Sequence, residues 1–226
     1  PPPPPAPAPP PPPPAPAPQP VPPPPPPPQQ PQPPNRRPWP RPHCGNPRLT
    51  DTQRGIFLDI HNNYRSSLTG GQEVNNGHGF APTPARMYRM QYSCDAESYA
   101  QQHASTCNGR RLDPIHHRGY KGNIYVLYDL QTTKEGAMQW AMQEWWYQLR
   151  RNGMRRDMWF TQKERERNLN IRSWSRMAWS NNKYVGCAVE RCSQFYFVIC
   201  MYPDGGNHLN QHVYPIGPVC SACPTG

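Results

Sequence analysis

Proline partitions this chain before any other signal is read. Of 36 prolines in 226 residues, 28 fall within the first 42. Proline fixes φ and removes the backbone donor, so neither a helix nor a sheet ladder is expected there. Residues 1–43, nearly all Pro, Ala and Gln, read as a disordered polyproline II arm. At about 3.1 Å per residue the arm would span about 130 Å. Its plain role is a spacer or stalk. The sharper reading, a ligand for an aromatic-lined groove, rests on a PxxP pattern that almost any such run matches. Arg36, Arg37 and Arg41 surround Trp39 at the arm's basic end. A packed core is therefore confined to residues 44–226.

All eight cysteines lie in that second part, from Cys44 to Cys223. An even set without paired CxxC metal-ligand spacing reads as a disulfide framework, which implies an oxidising, extracellular setting. Cys220-x-x-Cys223 has redox spacing, yet Pro224 stands where a thioredoxin-type motif would open a helix. No apolar run is long enough to span a membrane, and no phosphate-binding glycine loop is present. There is no Asn-x-Ser/Thr acceptor. No signal peptide is visible ahead of the proline run, and the sequence reads as a mature or truncated form. The net charge of +10 and the pI near 9.4 favour anionic partners. Nucleic acid is set aside because disulfides place the chain outside the cell.

The apolar pattern predicts helices before strands. Thr50 or Asp51 caps a helix carrying Ile56, Ile60, Tyr64 and Leu68 on one face and ending at Gly70-Gly71. Residues 71–86 read as a loop. Ser93 caps a second helix over 94–106, and residues 123–130 read as a short strand. A third helix over 134–151 buries Trp140 and Trp145. Residues 152–170, rich in charge, are expected in solvent. Two strands, 184–189 and 194–202, precede the Pro203-Asp204-Gly205-Gly206 turn. The class is α+β, in layers.

Four segments in order carry a family resemblance: Leu58-Asp59-Ile60-His61-Asn62-Asn63-Tyr64-Arg65; Ala104 to Cys107 with Gly122-Asn123-Ile124-Tyr125; Trp174-Ser175-Arg176-Met177-Ala178-Trp179 with Val185-Gly186-Cys187; and Val198-Ile199-Cys200-Met201-Tyr202 with Gly206-Asn207. Together they resemble the CAP superfamily of cysteine-rich secretory, antigen 5 and pathogenesis-related proteins. The likeness is strongest to the nematode secreted, venom-allergen-like branch. It implies an α–β–α sandwich, the CAP (SCP) domain, over residues 44–226. It also implies bridges Cys187–Cys200 and Cys107–Cys192, leaving Cys44, Cys94, Cys220 and Cys223 with three connectivities.

The resemblance further implies a cleft where two His and two Glu can bind a divalent metal. Aligned on the motifs, those four positions fall on Arg111, Gly122, Gln148 and Ser173. None is a good ligand, and no carboxylate general base remains. A shifted loop would bring His116 or His117 into the last role. Neither a metal, a cofactor nor catalysis is expected. His61 is expected in the core, and no Gly-x-Ser-x-Gly elbow serves Ser173, Ser175 or Ser180. Arg110, Arg111, Arg118, Lys121 and Arg176 are instead expected to flank the cleft as an anion-binding set. The function expected is secreted, non-enzymatic binding of an extracellular protein or anionic glycan, in a host-interaction or immunomodulatory role. Sterol or fatty-acid carriage, with the loop 77–88 bordering a pocket, and matrix tethering through the arm are the alternatives.

Overall fold

The computed structural model describes residues 43–110, 119–166 and 169–224. Helix α1 (Asp51–Thr69) opens with a capping box. Thr50 Oγ1 accepts from Gln53 N, and Gln53 Oε1 accepts from Thr50 N. Gly70 ends it, and Gly71 follows with φ of 68°. The most buried apolar stripe is Phe57, Tyr64 and Leu68, with His61 among them. Ile56 and Ile60 are only partly covered. Tyr64 and Leu68 are buried as predicted, while in the first half of the helix Phe57 and His61 take the core-facing places expected of Ile56 and Ile60.

Residues 71–86 are not wholly irregular. They hold the hairpin of β1 (Val74–Asn75) and β2 (Gly79–Phe80). Asn75 is buried there and bonds both backbone groups of Met154 at 2.7 Å. Strand β3 (Gln91–Tyr92) leads into α2 (Cys94–Ala104), capped by Ser93. Strand β4 (Lys121–Leu127) precedes α3 (Lys134–Trp146), capped by Thr133. The expected single third helix breaks at Tyr147, and α4 (Gln148–Asn152) follows. Gly153, at φ of 70°, stops it where a Cβ would meet Asn76 O at 2.3 Å.

The charged stretch 152–170 departs most from expectation. It contributes β5 (Trp159–Phe160) and the one-turn helix α5 (Gln162–Arg165). Met154, Met158, Phe160 and Glu164 are buried. Apart from Glu164, the described charges are exposed, while spaced apolar residues anchor the segment beneath them. The next helix, α6 (Arg172–Ala178), carries the Trp174–Trp179 signature. Strands β6 (Tyr184–Arg191) and β7 (Tyr196–Tyr202) follow, and β8 (Gln211–His212) pairs with β5.

The main sheet has the order β3-β6-β7-β4, antiparallel except for the parallel pair of β3 with β6. Every residue of β7 is buried, so both faces of the sheet are covered. Helix α2 lies against β6 and β7. Gly186 permits that approach, because a Cβ there would sit 2.2 Å from Glu97 N. Helices α1, α3 and α6 pack together, with Tyr64 stacked on Trp146 at 4.8 Å between ring centroids. Four disulfides close this frame: Cys44–Cys94, Cys107–Cys192, Cys187–Cys200 and Cys220–Cys223. Cys187 and Cys200 are direct cross-strand partners of β6 and β7.

Candidate functional site

Two ends of α6 are held by side chains from elsewhere. At its start, Gln148 Oε1 accepts from the N–H groups of Ser173 and Trp174, at 2.9 and 3.1 Å. At its end, the guanidinium of Arg65 donates to the carbonyls of Met177 and Trp179, at 2.8 and 2.9 Å. Helix ends leave such groups unpaired, so each contact answers a need the helix itself creates. Arg65 is fully buried, and burial pulls it down to about 9. The negative end of α6 is a suitable seat for that charge.

Fixed in this way, α6 presents Arg176 to the start of β4. Arg176 Nη1 donates to Gly122 O at 2.8 Å and to Asn123 Oδ1 at 3.2 Å. Asn123 Nδ2 donates to Ser173 O at 2.9 Å and to the Tyr202 hydroxyl at 3.3 Å. His61 Nδ1 lies 2.8 Å from Phe57 O, which can only accept, so Nδ1 carries the proton. Nε2 therefore accepts from the Tyr202 hydroxyl at 2.8 Å. A polarised chain runs from Arg176 through Asn123 and Tyr202 to His61. Burial, with the nearby Arg65 charge, brings His61 down to about 4 against the pull of its bond to Phe57, so it is neutral near pH 7. Tyr202 is driven above the usual phenol range, chiefly by burial.

Two further cations reach the same corner. Lys121 Nζ donates to Gly206 O at 3.3 Å, and Arg165 Nη2 donates to Asn207 O at 3.2 Å. The Gly205-Gly206 turn makes this seat. Both residues have positive φ, and a Cβ on Gly205 would come within 2.9 Å of Lys121 Cδ. Asn207 is tied to α6 by its own side chain, which donates to Arg172 O and accepts from Ser175 Oγ. Burial, then Arg176, then Arg165 hold the Lys121 amine below the usual lysine range.

Of the residues expected to line the cleft, Lys121 and Arg176 are brought together. Arg110 is placed elsewhere. Its carbonyl accepts from His103, and neighbouring Gly109 lies against Phe195 and Val126. Val126 stands five residues along β4 from Lys121, about 17 Å at the usual strand rise. Arg111, Arg118, His116 and His117 lie outside the described residues. Arg165 was not foreseen, because it sits in a stretch read as solvated charge. The readable signal was Thr161-x-x-Glu164, a capping box that starts the turn bearing it.

Three of the four positions that the family resemblance links to a metal are committed to other work, and the fourth, Arg111, lies outside the described residues. Gly122 offers only a carbonyl, already taken by Arg176. Gln148 spends its oxygen on α6, and its Nε2 donates to Asn170 Oδ1. The backbone of Ser173 is bonded at both its N–H and its carbonyl, and its side chain is a neutral hydroxyl. These donors, with a guanidinium among them, do not fit a divalent cation. Among the described residues no three His, Cys, Asp or Glu side chains gather as a metal site.

The described residues thus form a layered, disulfide-braced α+β domain in which α6 is held against the edge strand β4. Residues 58–202 match the Cysteine-rich secretory protein family, CAP, and the chain belongs to it. It is 34% identical over 182 residues to the Ancylostoma secreted protein of Ancylostoma caninum, covering 80% of this chain and 43% of that protein. It is 23% identical over 171 residues to venom allergen 5 of Polistes dominula, covering 73% of each. Among solved structures, Na-ASP-1 matches at 34% identity and a TM-score of 0.77, covering 80% of this chain and 46% of that one. NaASP2 with Zn2+ matches at 29% identity and a TM-score of 0.76, covering 80% and 94%. The chain thus spans less than half the length of the Ancylostoma protein.

Proposed function

We propose that this CAP domain is a secreted, non-enzymatic recognition protein whose cleft binds sulfated or otherwise anionic glycans. One observation carries the reading. Lys121, Arg165 and Arg176 converge on the carbonyls of Gly122, Gly206 and Asn207. Among the described residues, Lys121 and Arg165 are bonded to carbonyl oxygens and to no carboxylate. Carbonyls orient a cation without cancelling its charge, so the corner keeps a concentrated positive potential for an anion to meet. The residues at three of the metal-linked positions, Gly122, Gln148 and Ser173, support recognition over hydrolysis, since none of them brings a carboxylate base. Four disulfides and secreted relatives support an extracellular site of action, and a host-facing role follows by analogy with those relatives. On this reading residues 1–43 are a spacer that displays the domain.

Heparin chromatography tests it. The wild-type chain is expected to elute at clearly higher salt than an Arg165→Ala/Arg176→Ala variant of unchanged near-UV circular dichroism. Equal elution salt for both would remove the cleft from anion binding. Retention on heparin lost in favour of an acidic protein captured through the same residues would replace the glycan with that partner.

A further inference from the structure

The cleft contains a group that anion recognition alone does not use. The chain has four lysines, Lys121, Lys134, Lys163 and Lys183, against a total of 24 basic Lys and Arg residues. The other three have surroundings unlike those of Lys121. Lys134 opens α3 beside Glu135, and Lys163 is exposed on α5. Lys183 rests its ammonium 4.6 Å from the Tyr88 ring centroid. Lys121 differs in every respect. Its stem lies over Gly205, its amine has a single long bond to a carbonyl, and it is half-buried yet open to solvent. Arg176 is bonded to the next residue's carbonyl, and Arg165 to the carbonyl after Gly206.

We propose, resting on the reading that this cleft holds anions, that Lys121 is a covalent capture site for carbonyl compounds bearing a phosphate, sulfate or carboxylate group. Arg165 and Arg176 hold the anionic group, which places the carbonyl carbon beside Nζ. The unprotonated amine forms the C–N bond, and the carbonyl π pair moves to oxygen, which takes a proton. The carbinolamine then expels water, and the nitrogen releases its proton to solvent, leaving an imine. The step is reversible and needs no other reactant. Partial burial and two flanking guanidiniums disfavour the ammonium form, and that is the physical condition for a nucleophilic lysine.

Pyridoxal phosphate is the probe, with pyridoxal as its uncharged counterpart. The full chain is incubated with each near neutral pH and reduced with borohydride, and the labelled peptides are mapped. The expected result is label at Lys121 ahead of Lys134, Lys163 and Lys183, with pyridoxal phosphate faster there than pyridoxal. Arg165→Ala/Arg176→Ala should lose that preference for the phosphate. Lys121→Arg, which keeps the charge but has no nucleophilic amine, should lose the adduct. Label that favours Lys163 or Lys183, or a Lys121 rate indifferent to the phosphate, would overturn the proposal even if heparin retention depends on the arginines. Heparin retention that ignores the arginines, with Lys121 still labelled in phosphate-dependent fashion, would instead remove the glycan reading and leave the capture site.

Discussion

Two sets of sheltered cations behave differently in this molecule. Arg54 and Arg65, about three turns apart on α1, are buried and work for the fold. Arg54 grips Glu97 of α2 with two bonds of 2.7 and 2.8 Å, and it also reaches Asp51. Arg65 instead spends its donors on the Tyr88, Met177 and Trp179 carbonyls. In the cleft, Lys121, Arg165 and Arg176 are less buried and use fewer bonds. The difference teaches that residue type says little about the role of a charge. Burial and the number of acceptors decide whether a cation closes the structure or stays available to a ligand.

The largest expected effect breaks the first set. Glu97→Gln removes the buried carboxylate that faces Arg54 and leaves only the half-exposed Asp51 as its acidic partner, and breaking a buried ion pair from one side costs up to about 3–5 kcal/mol. Chemical denaturation should show this as a lower midpoint with an unchanged slope. The double variant Arg54→Met/Glu97→Leu should recover much of the loss, because the desolvation of both charges disappears with them. A Glu97→Gln protein as stable as wild type would place the two sets on one footing.

His61 links the sets, since Arg65 lies near it and the Tyr202–Asn123 chain leads from it to Arg176. Its folded value of about 4 stands against an ordinary 6.5. Between those values the unfolded chain binds the extra proton. Stability is therefore full above about pH 6.5 and falls as pH drops toward 4, by about 3 kcal/mol. His61→Gln cannot titrate and should flatten that part of the profile. Denaturation midpoints measured at several pH values for both proteins give the comparison. Parallel curves would assign the acid sensitivity to other groups.

Gln148 decides how the second set is presented. It occupies a position that the resemblance links to a carboxylate ligand, and a sequence reading counts it only as a loss. In the fold its oxygen caps α6, the helix that carries Arg176. Gln148→Ala should cost about 1–2 kcal/mol, the usual range for losing a cap. The same variant should elute earlier from heparin, because an unpinned α6 no longer fixes Arg176 over Gly122. Lost stability with unchanged retention would separate the cap from the cleft.

Much of the frame was legible in the residues. Thr50 or Asp51, Ser93, and Thr132 or Thr133 announce three helix starts, and the apolar runs around Val185 and Val198 announce the two central strands. Both rest on local chemistry that the sequence displays directly. The full core face of α1 was not legible. His61, Asn62 and Arg65 are polar by type, and only their tertiary partners make them core residues. The anchored stretch 152–170 was missed for a related reason. Its charges dominate the composition, while Met154, Met158 and Phe160 are too few to set a period. Within the cleft, motif register located Lys121 and Arg176. The distance of Arg110 and the arrival of Arg165 depend on how β4 and the Gly205-Gly206 turn run in space, which no local pattern encodes.

The smallest effect on stability sharpens the contrast furthest. Arg165 is exposed and makes one side-chain bond, to Asn207 O. Surface changes away from special contacts fall within about 0.5 kcal/mol, so Arg165→Ala should leave the denaturation midpoint nearly unmoved. Its charge nonetheless belongs to the corner formed with Lys121 and Arg176, where each cation adds to the potential met by an incoming anion. The variant should therefore elute from heparin at lower salt than wild type, and the gap should narrow as ionic strength screens the cleft. A cation that matters to binding and hardly at all to folding is the signature expected of the second set. If Arg165→Ala lowers stability as much as it lowers retention, the division between the two sets fails at its clearest member.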